Sequence, residues 1–223
     1  MNQKQIAGEA AAALIQDGMV VGLGTGSTAF YMIQKLGEMV KNGLSVTAVA
    51  TSAESARLAE ELGITVLDVN EVDHIDIDID GVDEIDPDGN VIKGGGGALL
   101  REKIVSRLAK ETVWVMDAGK EVAAIGAFPL PVEIVRYGHR HTLKAMEDAG
   151  LSPVLRVRND ETYLTDNGNY IADLHLGAPI DIPRVVAVLA AIPGVVEHGL
   201  FLGMGSQRFV GTDAGVMSRK EKK

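Results

Sequence analysis

Apolar and polar residues alternate one for one from Ile75 to Asp80, with Ile75, Ile77 and Ile79 interleaved with Asp76, Asp78 and Asp80. A period of two is the mark of a strand with one apolar and one acidic face. Burying unpaired carboxylates costs several kcal/mol each, so the acidic face has to meet water, partners or a ligand. The strand is predicted to stop at Gly81, with Asp83 in the following turn. Upstream, residues 5–16 have helical composition, 19–23 read as a buried strand, 29–39 as a helix and 45–50 as a strand. A helix at 53–62 is stopped by Gly63 and followed by an extended piece at 64–67. Downstream, Asp86-Pro87-Asp88-Gly89-Asn90 is a turn, 97–109 a helix and 112–117 a strand. This βαβ alternation predicts an α/β fold, a doubly wound, mostly parallel Rossmann-like sheet whose ligands sit outside the carboxyl ends of its strands.

From Pro129 the pattern changes. Strands at 132–136 and 153–157 flank a helix at 142–149, and a hairpin is expected around Asp166-Asn167-Gly168. A helix at 183–191 and a strand at 195–201 complete two strand-helix-strand halves, which predict a small ferredoxin-like α+β subdomain. The expected organisation is a Rossmann-like domain of residues 1–127 plus 198–223, with the small α+β subdomain at 128–197. Phe201 and the 208–210 strand are expected to return to the main sheet, and the tail 218–223 to fray.

Composition narrows the function classes. The 223 residues are 46% hydrophobic and 23% charged, as in a globular protein, and contain no cysteine. No apolar run is long enough to span a bilayer, and Glu9 and Asp17 break the apolar core that a signal peptide needs, so a cytoplasmic location is expected. A net charge of −10 argues against nucleic acid or an anionic membrane as partner. It also repels anionic metabolites, so a phosphate site has to be made locally, from backbone N–H groups at a helix start and a few placed lysines.

Three segments carry candidate chemistry. Gly22-Leu23-Gly24-Thr25-Gly26-Ser27-Thr28 lies between a predicted strand and a helix. Its glycines let backbone approach an anion, and the hydroxyls of Thr25, Ser27 and Thr28 add donors. A tight turn with Ser27 as a plain N-cap fits the same residues. A dinucleotide fingerprint fits less well, because the spacing is G-x-G-x-G and Thr51-Ser52 stand where a ribose-binding acid would be. Those two residues read as a helix cap with Glu54 in the first turn, and a ligand role stays open. Asp76, Asp78, Asp80 and Gly81 begin like a calcium loop, but Pro87 stands where the bidentate glutamate belongs. The five histidines offer no zinc spacing, so no metal is predicted. The third segment, Lys93 with Gly94, Gly95, Gly96, Gly97 and Glu102, is the sharpest. Four glycines opening a helix are costly unless backbone must approach something closely. A carboxylate beside a lysine suits proton abstraction next to a carbonyl, although Arg101, Glu102 and Lys103 also read as a solvated face. Lys120, in Asp117-Ala118-Gly119-Lys120, adds a cation at another strand end or simply a solvated turn.

Together, Gly22 to Ala29, Thr51-Ser52, Ile79 to Glu84, Lys93 to Lys103, Phe128 to Glu133 and Ile192 to Phe201 resemble type A ribose-5-phosphate isomerase, in that family's order and over nearly the whole chain. The resemblance implies an aldose-ketose isomerase that interconverts ribose 5-phosphate and ribulose 5-phosphate in the non-oxidative pentose phosphate pathway, without metal or other cofactor. The family's general base matches Glu102, its catalytic aspartates match Asp80 and Asp83, and its site lysine matches Lys93. Its substrate-binding segments match Thr25, Gly26, Ser27 and Thr28, then Asp80, Gly81, Val82 and Asp83, then Lys93, Gly94, Gly95 and Gly96, and finally Lys120. Lys4 aligns with a lysine near the phosphate. The family is usually dimeric or tetrameric, so a homo-oligomer is expected. Two other classes fit parts of the chain, a non-catalytic sugar-phosphate sensor and a dinucleotide-dependent oxidoreductase. A sensor would not need Glu102, and the glycine spacing disfavours the oxidoreductase.

Overall fold

The computed structural model describes residues 2–221. The chain divides into two compact units, one of Met1–Val82, Arg101–Lys120 and Leu202–Lys223, the other of Asp83–Leu100 and Glu121–Phe201.

The first unit holds a seven-stranded sheet in the order Gly215–Lys220, Gln207–Thr212, Ala109–Asp117, Ile75–Gly81, Val20–Leu23, Thr47–Ala50, Thr65–Val66. Six strands are parallel, and Gly215–Lys220 pairs antiparallel at the edge. The chain starts in the middle, at Val20–Leu23, and builds outward in both directions, so the strand order reverses between Val20–Leu23 and Ile75–Gly81. Ligands of open α/β sheets bind at the carboxyl ends of strands at such a reversal. The helices Gln3–Ala12, Ser27–Lys41 and Ala53–Glu61 cover one face, where Ala11, Met32, Leu36 and Ala59 join a core with Leu23, Ile77, Ile79 and Val115. Val49, opposite in direction to its neighbour Ala48, packs instead with Val105 of the helix Leu99–Leu108. Among the described residues no helix is long and apolar enough to cross a membrane.

In the second unit, a four-stranded antiparallel sheet has the order Val195–His198, Leu130–Ile134, Tyr170–Leu174, Pro153–Leu155. With the helices His139–Asp148 and Ile182–Ala191, the chain runs strand-helix-strand-strand-helix-strand, and its first and third strands lie in the middle. This is the split βαβ arrangement of a ferredoxin-like layer. The turn expected around Asp166-Asn167-Gly168 is held by the buried Glu133, whose Oε1 accepts from Thr165 Oγ1 (3.1 Å), Asn167 Nδ2 (3.1 Å) and Asn169 Nδ2 (2.9 Å).

Two expectations are corrected. Residues 218–220 do not fray but belong to the edge strand Gly215–Lys220, in register with Gln207–Thr212 and secured by an ion pair of Arg208 with Glu221. Residues 222 and 223, also part of that expected tail, lie outside the described residues. Phe201 does not return to the main sheet. Leu200–Phe201 pairs with Val91–Ile92, which pairs in turn with Glu84–Ile85, in a small sheet of the second unit. Those pairings place residues 83–100 in the unit that contains 128–197.

Candidate active site

In the first unit, chemistry collects at the carboxyl edge of the parallel sheet. Asp80, fully buried near the end of its strand, accepts the Thr25 N–H (3.0 Å) and the Gly81 N–H (2.7 Å) on Oδ1. The acidic face thus meets partners rather than water at Asp80. At the half-buried Asp76 it meets partners as well as water, taking the Lys110 ammonium (2.7 Å) and the Val20 N–H (2.9 Å). The Thr25 hydroxyl lies 2.7 Å from that of Thr51 and donates to Ser52 Oγ at 2.9 Å, while Ser55 Oγ donates to the Gly24 carbonyl at 2.7 Å. Ser52 is the N-cap of Ala53–Glu61, accepting the Ser55 N–H at 3.1 Å. The Thr51-Ser52 pair therefore caps a helix and braces the glycine turn.

Gly26, not Ser27, is the N-cap of the helix Ser27–Lys41, with φ at 100° and no side-chain cap. Ser27 is the first helical residue, and Lys4 Nζ donates to its hydroxyl at 2.9 Å. Uncapped N–H groups at a helix start, the partial positive charge of that end and an ammonium beside it are the components of an anion site. A cavity of about 710 Å³ opens here, lined by Lys4, Gly26, Ser27, Ser55 and Arg57 among others. Glu54 and Glu61 line it as well, and the Arg57 side chain, 73% exposed, lies 4.0 Å from Glu61 Oε1. Lys120 ends a short 3-10 helix, Ala118–Lys120, that follows the strand Ala109–Asp117 at this same edge of the parallel sheet. Glu102 lies in the first turn of Leu99–Leu108 and is 3% exposed, which excludes the solvated-face reading.

In the second unit, Asp83 donates its N–H to the Ile92 carbonyl (2.8 Å) and accepts the Gly95 N–H on Oδ2 (2.7 Å). A side chain on Gly95 would put its Cβ 2.7 Å from Asp83 Oδ1, so this glycine is needed for the approach of the carboxylate. Lys93 is 2% exposed, its N–H bonded to the Gly199 carbonyl (2.9 Å) and its Nζ 5.5 Å from the centre of the Phe201 ring. The face of an aromatic ring attracts an ammonium. The predicted helix at 97–109 starts instead at Leu99, because Gly97 has φ at 87° and closes a turn by donating to the Gly94 carbonyl at 2.9 Å.

The structure thus gathers Lys4 with Ser27, and Thr25 with Asp80 and Gly81, in the first unit, and Asp83 with Gly95 in the second. The first unit carries a buried glutamate, a backbone-anchored aspartate and a helix-start anion site, and the second a buried lysine and a backbone-anchored aspartate, residue types that proton-transfer chemistry on anionic substrates uses.

Known proteins share this sequence and fold over nearly the whole chain. The family described as ribose 5-phosphate isomerase A (phosphoriboisomerase A) matches residues 47–215. The ribose-5-phosphate isomerase A of Listeria monocytogenes serotype 4b (strain F2365) is 51% identical over 203 residues, 91% of each chain. The solved ribose 5-phosphate isomerase from Plasmodium falciparum superposes with a TM-score of 0.94 at 33% identity, covering 99% of each chain. A D-ribose-5-phosphate isomerase in complex with phospho-erythronic acid gives a TM-score of 0.91 at 37% identity, over 99% of this chain and 100% of that one. With the family match spanning residues 47–215 and half its residues shared with a curated member over 91% of its length, the chain belongs to the ribose 5-phosphate isomerase A family.

Proposed function

We propose that Glu102 is the base that moves the proton in this family's reaction, the interconversion of ribose 5-phosphate and ribulose 5-phosphate. The carboxylate takes the proton from carbon 2 of the open-chain aldose, leaving a 1,2-enediolate, and returns it to carbon 1, while a hydroxyl proton passes from oxygen 2 to oxygen 1. Lys93 and the glycine-run amides hold the enediolate oxygens, where negative charge develops. Asp80 or Asp83 assists ring opening and the hydroxyl proton shuttle. The helix start at Ser27, with Thr25, Gly26, Thr28, Lys4 and Lys120, grips the phosphate. Gly81 and Val82 complete the sugar contacts together with Gly94, Gly95 and Gly96. The protein works as a cytoplasmic homodimer or homotetramer.

The observation that carries this reading is the burial of Glu102 at 3% exposure directly after a glycine run, in a chain of this family. A carboxylate withdrawn from water at a helix start has no role in solubility, and one placed next to a sugar carbonyl has a role as a base. The test is isomerisation of ribose 5-phosphate by the purified protein in excess EDTA. Activity is expected to survive chelation, and Glu102→Gln is expected to keep substrate affinity while kcat falls roughly 100- to 10,000-fold. Near-normal turnover in Glu102→Gln would transfer the role to Asp80 or Asp83.

A further inference from the structure

The run Gly94 to Gly97 has no side chains with which to hold a shape, and two of its residues have positive φ, at 101° and 87°. Its peptide planes have to be fixed from outside. Arg156 Nη1 donates to the carbonyls of Gly94 (2.9 Å) and Gly95 (3.1 Å), and the Tyr163 hydroxyl donates to the carbonyl of Gly96 (3.0 Å). Arg156 is itself set by Asp173, to which Nε donates at 2.8 Å, and the two side chains are only 12% and 19% exposed. Partial burial raises the Tyr163 hydroxyl above the usual tyrosine value, so at neutral pH it remains a donor. Three successive carbonyls are thereby fixed by two side chains. A trans peptide points its N–H away from its C=O, so pinning the Gly94 and Gly95 carbonyls turns the Gly95 and Gly96 amides the other way. For Gly95 the result is visible, because its N–H reaches Asp83 Oδ2 at 2.7 Å.

We propose that Arg156, set by Asp173 and assisted by Tyr163, is a positioning residue for the isomerisation. By anchoring the Gly94 and Gly95 carbonyls, it aims the Gly95 amide at Asp83 and the Gly96 amide at the sugar, and fixes the backbone that follows Lys93. The planar guanidinium serves two carbonyls and a carboxylate at once, a geometry that a lysine ammonium does not reproduce. The inference rests on the assignment of Asp83, Lys93 and the glycine run to the sugar site.

The experiment compares Arg156→Lys, Arg156→Ala, Tyr163→Phe and the double variant Arg156→Leu/Asp173→Leu with the wild type and Glu102→Gln, recording thermal unfolding of each. The double variant removes the ion pair without stranding a carboxylate. Folded Arg156 variants are expected to lose roughly tenfold to hundredfold in kcat, the effect of reacting groups set slightly out of place. KM should move by less than about threefold, because the phosphate grip is untouched. Added guanidinium ion is expected to restore part of the rate of Arg156→Ala, which it would not do for a merely structural residue. Folded Arg156 variants with kcat within about twofold of wild type, or a folded Arg156→Ala that guanidinium does not rescue, would overturn the inference. If Arg156→Ala does not fold, kcat of Arg156→Lys and Tyr163→Phe decides it. A wild-type protein that does not isomerise the sugar would instead overturn the function, and an active Glu102→Gln only the choice of base.

Discussion

Gly22 and Gly24 face Asp78 and Asp80 on the neighbouring parallel strand, in a register that pairs Gly22 with Asp78. A Cβ on Gly22 would stand 2.6 Å from Asp78 Oδ1, and one on Gly24 would stand 2.2 Å from Asp80 Oδ1 and 2.5 Å from the Asp80 Cα. The G-x-G spacing therefore mirrors the D-x-D spacing across the sheet, and these two glycines admit buried carboxylates. Gly26 differs, since its Cβ would meet nothing within 4 Å and its φ of 100° is what excludes other residues. Gly24→Ala is expected to destabilise by at least about 2 kcal/mol, because the added carbon overlaps backbone and cannot be relieved by a side-chain rotation. It should also cut kcat by displacing Asp80. Gly26→Ala should cost about 1 to 3 kcal/mol, all of it backbone strain, because φ of 100° with ψ of −178° is a conformation that glycine alone enters readily. Urea unfolding of each variant reads the losses, and a Gly24→Ala variant within about 0.5 kcal/mol of wild type would mean that close approach to Asp80 is not what selects Gly24. Sequence reading marked all three glycines as an anion turn. It could not see the second reason, because nothing within residues 22–28 reports which residues a later strand sets beside them.

Elements whose two faces differ were the legible ones. The strand Ile75–Gly81 was readable from its isoleucines and aspartates, and the helices at 29–39 and 53–62 from apolar spacing and glycine stops, to within two residues of Ser27–Lys41 and Ala53–Glu61. The strand Gly215–Lys220 was not, because five of its six residues are exposed and no alternation is imposed on it. Leu200–Phe201 was misplaced because a buried two-residue piece has no period with which to choose a sheet. Of the candidate positions, Asp80, Lys93 and Glu102 stand out in the sequence by their residue types and are buried, whereas Arg156 and Tyr163 lie about 60 residues from the loop they hold and no spacing links them. At the start of the acidic strand, the Lys110 ammonium and the Val20 N–H hold the Asp76 carboxyl below the usual carboxylate range, against the opposing effect of burial. A carboxylate whose folded pKa is depressed adds stability above its unfolded pKa of about 3.9 and loses it as pH falls through the folded value. Asp76→Asn should therefore lower stability by about 1 kcal/mol at pH 7. The difference should shrink to nothing as the pH is taken below about 4 and through the folded pKa. A gap between wild type and variant that persists in acid would show that the side chain acts there by shape and not by charge.

At the scale of the molecule, acidic residues outnumber basic ones by 31 to 21, so attraction for a phosphosugar has to come from placed cations and helix-start amides rather than from the overall field. The chain passes between its two units after Val82, Leu100, Lys120 and Phe201, so neither unit is a continuous stretch of sequence. Residues 202–221 belong to the first unit, where they supply the strands Gln207–Thr212 and Gly215–Lys220 with buried Arg208, Phe209 and Val210. The helix Gln3–Ala12 packs on the first of these so closely that a Cβ on Gly211 would fall 1.8 Å from the Gln3 carbonyl oxygen. A chain ending at Phe201 would lose that packing and leave Ala109–Asp117 as an open edge, its N–H and C=O groups ready to pair with another molecule. A chain ending at Thr212 would keep the strand that covers Ala109–Asp117 and lose only the exposed edge strand, together with the Glu221 partner of buried Arg208. The first is expected to aggregate and the second to stay soluble with a lowered melting temperature, as read by light scattering and thermal unfolding. If the chain ending at Phe201 were monodisperse and unfolded cooperatively, closure of the sheet by Gln207–Thr212 would not be what the first unit requires to fold.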